Sequence, residues 1–287
     1  MSFESFLRHQ RRTSPSTAYR SAQQARSFDE WLANKGWISE ELTHKHILDY
    51  ISFCKSKNNT HNTICRKLRT IRQYLDYKYI VPNPCDRLQL NSRPGVLPHP
   101  LLTEKEVNEL YRSYPEWTVE MKRDKVVLGI MCYQAPRTGE MRNLALDDVS
   151  LDMGFIRIKE GRWSAARSIQ IDSLQYALLK EYVERIREEL LEGRSSELLC
   201  VKRGPTEKAE HLRNYMYRLS DNASGCYPKF RNFIQLRASV ICNWLKRENI
   251  RQVQYKAGHK NINATQRYKQ GNTDELGGLL DQLHPLK

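Results

Sequence analysis

The chain has 287 residues, 39% of them hydrophobic and 28% charged, with 47 Lys and Arg against 33 Asp and Glu for a net charge of +14. That length suits two modest domains, each able to bury a core, and the composition excludes a disordered chain. The positive balance calls for a polyanionic partner. No apolar run approaches the roughly 18 residues of a membrane helix, and MSFESFLRHQRR has no hydrophobic segment of the signal-peptide kind. A cytoplasmic protein with no membrane partner is expected. The seven cysteines, Cys54, Cys65, Cys85, Cys132, Cys200, Cys226 and Cys242, are odd in number and scattered with no CxxC pair. Buried reduced thiols are expected, without a disulfide framework or a metal site.

In chain order, Ala18, Ala22, Ala25, Phe28, Trp31 and Leu32 mark one face of a helix from Ser14 to Lys35, with Pro15 just inside its start and Gly36 past its end. Thr43 opens a second helix with Ile47, Leu48 and Ile51 on one face. A third, from about Thr60 to Tyr79, carries Ile64, Leu68, Ile71 and Leu75. Lys55, Lys57, Arg66, Lys67, Arg69, Arg72 and Lys78 stand against Asp76 alone in residues 51–79. Arg66, Lys67, Arg69 and Arg72 are therefore the candidate DNA-backbone contacts, against the plainer reading of a solvated amphipathic face. Residues 1–90 form a small helical domain on this reading.

Residues 91–100, NSRPGVLPHP, have the three prolines of a linker. A second domain, 101–287, opens with Thr103 and Glu106 placed as a capping box before Val107, Leu110 and Tyr111. Val126, Val127, Ile130 and Met131 give a helix ending near Ala135-Pro136. A short helical pattern through Leu144, Leu146 and Val149 follows. Gly154–Ile158 and Arg167–Ile171 read as strands of a β-hairpin, with helices at about 173–190 and 206–220. From about residue 270, Leu276, Leu279, Leu280 and Leu283 have helical spacing, interrupted at Gly277-Gly278.

Residues 231–268, RNFIQLRASVICNWLKRENIRQVQYKAGHKNINATQRY, hold an arginine on an apolar helix, Arg237, a Gly258-His259 pair and Tyr268 nine residues further on. A cation for a phosphate oxygen, an imidazole for a proton or hydrogen bond, and a hydroxyl nucleophile are parts of a metal-free phosphoryl transfer. Each is commonplace alone, as an ion pair, a helix cap or a half-buried aromatic.

Together with residues 135–149, APRTGEMRNLALDDV, the pattern resembles the tyrosine recombinase (phage integrase) family. Arg137 with Glu140 resembles the family's first signature and Gln235-Leu236-Arg237 the second. Ala257-Gly258-His259 resembles its Leu-Gly-His, and Ala264-Thr265-Gln266-Arg267-Tyr268 the motif holding the nucleophile. Length and layout are closest to the simple two-domain recombinases of the Xer type.

The resemblance implies a mainly α fold with a small β-sheet or hairpin in the catalytic domain. An N-terminal helical, SAM-like core-binding domain would precede a C-terminal tyrosine recombinase catalytic domain. It implies site-specific recombination of double-stranded DNA through a covalent 3′-phosphotyrosine and a Holliday junction, without a cofactor, at the nucleoid. The enzyme would act as a dimer on one site and a tetramer in synapsis, joined by the tail from about residue 270. Tyr268 would be the nucleophile, Arg137 and Arg237 the phosphate clamps, and His259 a donor or proton acceptor. A hairpin lysine, Lys159, would protonate the leaving oxygen, with Arg162 the other cation the turn offers and itself a candidate DNA contact. The family's histidine three residues before the second arginine is here Ile234. A weakened relative acting as a DNA-binding regulator, or a type IB topoisomerase, are the alternatives.

Overall fold

The structure, a computed structural model, describes residues 1–86, 88, 97, 100–204 and 212–269. Most of the expected linker, the start of the helix expected at 206, and the leucine-spaced tail lie outside the described residues. The chain divides into two compact units, Met1–Gly95 and Val96–Lys287.

In the first unit α1 (Phe3–His9), α2 (Pro15–Ala33), α3 (His44–Ser56) and α4 (His61–Tyr77) enclose one core. The apolar stripe of α2 is buried at all six positions read from the sequence, and Pro15 occupies its first turn. Phe28, Trp31 and Tyr50 meet edge to face or stacked, with centroids 4.9 to 6.0 Å apart. Losing one of these large rings would cost about 3–5 kcal/mol. α1 has no counterpart in the sequence reading; it is tied down by Phe3 and Leu7, with Phe3 against Tyr74 at 5.1 Å. On α4, Ile64, Leu68, Ile71 and Leu75 face inward, which leaves Arg66, Arg69 and Arg72 exposed and Lys67 half-buried. Arg72 pairs with Asp86 at 2.8 Å.

In the second unit α5 (Glu104–Ser113) begins at the expected capping box. Glu106 takes its backbone hydrogen bond from Thr103 at 2.8 Å. α6 (Val119–Tyr133) runs through the core. α7 (Thr138–Arg142) is a short helix followed by a 3₁₀ turn at Leu146–Asp148, where the sequence suggested one helical pattern. The expected hairpin is present as β2 (Phe155–Ile158) and β3 (Arg167–Gln170), pairing Ile156 with Ile169 and Ile158 with Arg167. A two-residue strand, β1 (Val149–Ser150), adds a third antiparallel member in the order β1-β2-β3.

α8 (Ser173–Glu181) passes through one π turn at Tyr182–Ile186 into α9 (Arg187–Leu191). Tyr182 and Ile186 are buried there. α10 (Arg213–Cys226), α11 (Phe233–Leu245) and α12 (Ile250–Ala257) follow, and residues 262–269 form a last described helix, α13. Every cysteine is a free thiol, all buried except the half-buried Cys226. Among the described residues no helix is long and apolar enough to cross a membrane.

Candidate active site

Four elements of the second unit converge. α11 is apolar on nearly every face, with Leu236, Ala238, Val240 and Ile241 buried, and carries Arg237 into that interior at 8% exposure. A guanidinium there must be held by acceptors. Arg237 donates to the carbonyl of Ala135, just before Arg137, and to that of Ala257 at 2.7 Å. It thus joins the start of α7 to the end of α12. Burial, and next the neighbouring Arg167, pull its pKa down to about 10, which leaves it a cation at neutral pH.

α12 ends on Gly258, whose φ of +64° is the left-handed turn that glycine adopts without strain. That turn sets His259 into the interior at 5% exposure. Its Nδ1 lies 2.8 Å from the Thr265 hydroxyl and its ring stacks on Tyr268 at 5.7 Å and 15°. Burial, then the cations Arg237, Arg137 and Arg167, push the His259 pKa down to about 4. It is a neutral imidazole at pH 7 and so can accept a proton.

Tyr268 is on α13, one turn beyond Thr265, half-buried against Ile241, Val253 and Ala257. Cys242 donates to its carbonyl at 3.7 Å.

Arg137 precedes α7 and is exposed. Its backbone N–H donates at 2.7 Å to Glu140, whose carboxylate also takes the two-pronged ion pair of Arg167 at 2.7 and 3.1 Å. Burial alone would raise the Glu140 pKa; the Arg167 fork overrides it and holds the carboxyl at about 2.

In the sequence Arg167 reads only as the start of a strand. Its step with Ile169 and Ile171, both buried, is the one signal in the sequence that sets it on the inward face.

The hairpin is pinned to the His259 corner at three places. Ala165 donates to the Gly258 carbonyl at 3.0 Å, the Ser168 N–H to the Tyr255 hydroxyl at 3.0 Å, and Lys260 pairs with Glu160 at 2.7 Å. Gly161 and Ser164 close a two-residue turn with Arg162 and Trp163 at its tip, where the guanidinium lies 4.9 Å over the indole. Lys159 follows β2 and, among the described residues, pairs with Asp148 rather than with those around His259. Its ammonium is 3.1 Å from Asp148, with a side chain 59% exposed. The structure therefore brings together Arg137, Arg237, His259 and Tyr268, with Glu140, Arg167 and Thr265 supporting them. Lys159, paired with Asp148, and Arg162, stacked over Trp163, stand at the hairpin. Ile234 is one turn before Arg237 and 73% exposed.

Among the described residues no three His, Cys, Asp or Glu side chains are grouped as a metal site. What the cluster offers is fixed positive charge around a phenol and a neutral imidazole, suited to an anion that gains charge as it reacts.

Comparison with known proteins bears on the same stretch of chain. The profile described as the phage integrase family matches residues 100–275. Tyrosine recombinase XerC of Natranaerobius thermophilus is 26% identical over 99% of this chain and 98% of its own. Among solved structures, XerH site-specific recombinase bound to palindromic difH substrate in a post-cleavage complex is 19% identical. It covers 96% of this chain and 82% of that one, with a TM-score of 0.72. A lambda integrase tetramer bound to a Holliday junction is 13% identical over 93% of this chain and 74% of that one, with a TM-score of 0.65.

Proposed function

Since the chain belongs to the phage integrase family, the tyrosine recombinases, we propose that it cleaves and rejoins double-stranded DNA at a specific site through Tyr268. The observation that carries this reading is the half-buried Tyr268 ring stacked on a buried neutral His259 beside the interior cation Arg237.

Tyr268 Oη attacks a backbone phosphorus. The new O–P bond replaces the bond from phosphorus to the 5′ oxygen, leaving a 3′-phosphotyrosine and a 5′-hydroxyl. Arg137 and Arg237 meet the non-bridging oxygens as charge accumulates on them. His259 accepts the tyrosine proton or donates to the phosphate, and the departing oxygen takes a proton from Lys159 or Arg162. For Lys159 that step requires release from Asp148. Because the phosphotyrosine keeps the energy of the broken bond, a partner strand's 5′-hydroxyl can displace it, and two such exchanges pass through a Holliday junction.

Arg66, Lys67, Arg69 and Arg72 on α4 contact the phosphate backbone. A homodimer on one site, paired into a tetramer, supplies the four tyrosines that exchange requires, with the segment from about residue 270 as the proposed connector.

The test incubates the protein with a pool of nicked, randomised duplexes enriched for binding, then seeks a protein–DNA adduct that survives denaturation. Wild type is expected to form it and Tyr268→Phe to form none. An adduct in Tyr268→Phe would remove Tyr268 as the nucleophile. Ile234, exposed and apolar where the family has a histidine, favours a second reading, a DNA-binding relative that does not cleave; it requires enriched binding with no adduct from wild type.

A further inference from the structure

Arg167 takes no part in the reaction as set out above, yet its side chain is fully enclosed, at 0% exposure. Its strand neighbours on the same face, Ile169 and Ile171, fill their places with hydrocarbon. An ion pair in such a place is poorly explained by stability, because apolar replacement of a buried pair is often neutral or favourable. What the pair does supply is direction. The guanidinium fork grips both oxygens of Glu140, and the same carboxylate accepts the backbone N–H of Arg137. On its other side the guanidinium abuts the turn that precedes His259. A Cβ on Gly258 would collide with Arg167 Nη1, and Arg167 Nη1 also donates to the Ala165 carbonyl, while the Ala165 N–H holds the Gly258 carbonyl.

We infer that Arg167 is a positioning residue for DNA cleavage: wedged between Glu140 and Gly258, it sets the spacing of Arg137 from His259 without touching DNA. This rests on the cleavage reading above. The groups facing His259 are Arg237 from α11, Arg137 just before α7 and Glu140 on it, Arg167 from β3, and Thr265 and Tyr268 from α13. Removing Arg167 takes one cation from that set and leaves Glu140 in place.

Arg167→Met and Arg167→Lys are compared with wild type on the duplex recovered by covalent selection, under saturating single-turnover conditions across pH. Arg167→Met is expected to slow cleavage at least 100-fold while duplex binding stays within threefold, and to move the acid limb of the rate profile to higher pH. Arg167→Lys keeps the charge but not the fork; it is expected to slow cleavage at least tenfold with the acid limb unmoved. Glu140→Gln combined with Arg167→Met removes both charges and serves as the folding control. It is expected to fold and still cleave at least 30-fold slowly, because Arg137 has lost its anchor.

An NMR titration of the imidazole in free protein, assigned with His259→Gln, needs no cleavage. The His259 pKa is expected at about 4 in wild type and higher in Arg167→Met, where one neighbouring cation is gone. Wild-type cleavage by the double variant, or by Arg167→Lys, overturns the proposal, as does an unmoved His259 titration in Arg167→Met. Absence of an adduct from wild type overturns the cleavage reading instead, and the titration still decides whether Arg167 sets the surroundings of His259.

Discussion

Gly258 shows how much of this site rests on single residues. Its φ of +64° disfavours any side chain, and a methyl there would collide with the Arg167 guanidinium. Gly258→Ala is accordingly expected to destabilise the second unit by roughly 1–3 kcal/mol, read as a lowered Tm, and to slow cleavage as His259 is displaced. Ile234 offers the opposite case. At 73% exposure it contributes little packing, so Ile234→His should fold normally. On the proposed mechanism it is expected to raise the single-turnover cleavage rate by about tenfold or more by adding a proton-handling group; an unchanged rate would show that His259 already carries that role. At this scale the motif residues were legible, because Arg137, Arg237, His259 and Tyr268 fall in recognisable spacings. Arg167 was not, because an arginine heading a strand is ordinarily a solvated end, and only its alternation with two buried isoleucines separates it from that.

Helices with one apolar face were read from periodicity nearly to the residue, α2 and α4 above all, since a stripe at 3.6-residue spacing has no other explanation. α6 was read only from Val126 onward. Its first half carries Arg123, Asp124 and Lys125, a triplet that looks solvated, whereas all three are buried. Asp124 there accepts from Arg123 at 2.6 Å and from the Tyr215 hydroxyl at 2.9 Å, so the partner that permits burial lies 91 residues away. β1, two residues long, is too short to carry a period and exists through its pairing with β2. The exposed row on α4 gives an element-scale expectation. Replacing Arg66 and Arg69 together by Ala should weaken duplex binding regardless of sequence and reduce the slope of log K against log salt by about two. Binding measured from 50 to 200 mM salt checks this, and an unchanged slope would return the row to a plain solvated face.

Across the molecule, acid lability should be concentrated in the second unit. The His259 pKa is depressed in the folded state, so its neutral form contributes stability that is complete above about 6.5 and is lost as pH falls towards about 4. The Glu140 carboxyl is depressed too, and its share is lost lower, between its ordinary 4.5 and about 2. Both therefore act in the same direction. Thermal unfolding between pH 7.5 and pH 4 is expected to show the second unit losing about 3 kcal/mol from His259 alone, with His259→Gln flattening that dependence. The remaining feature with molecular reach is the hydrogen bond between His259 and Thr265. Thr265 and Tyr268 lie one turn apart on α13, so Tyr268 cannot withdraw with that stretch of helix without also stripping the imidazole of its partner. On the proposed mechanism the arrangement is an interlock: a subunit whose Tyr268 is retracted is disarmed twice, as cutting one strand while its opposite is left whole would require.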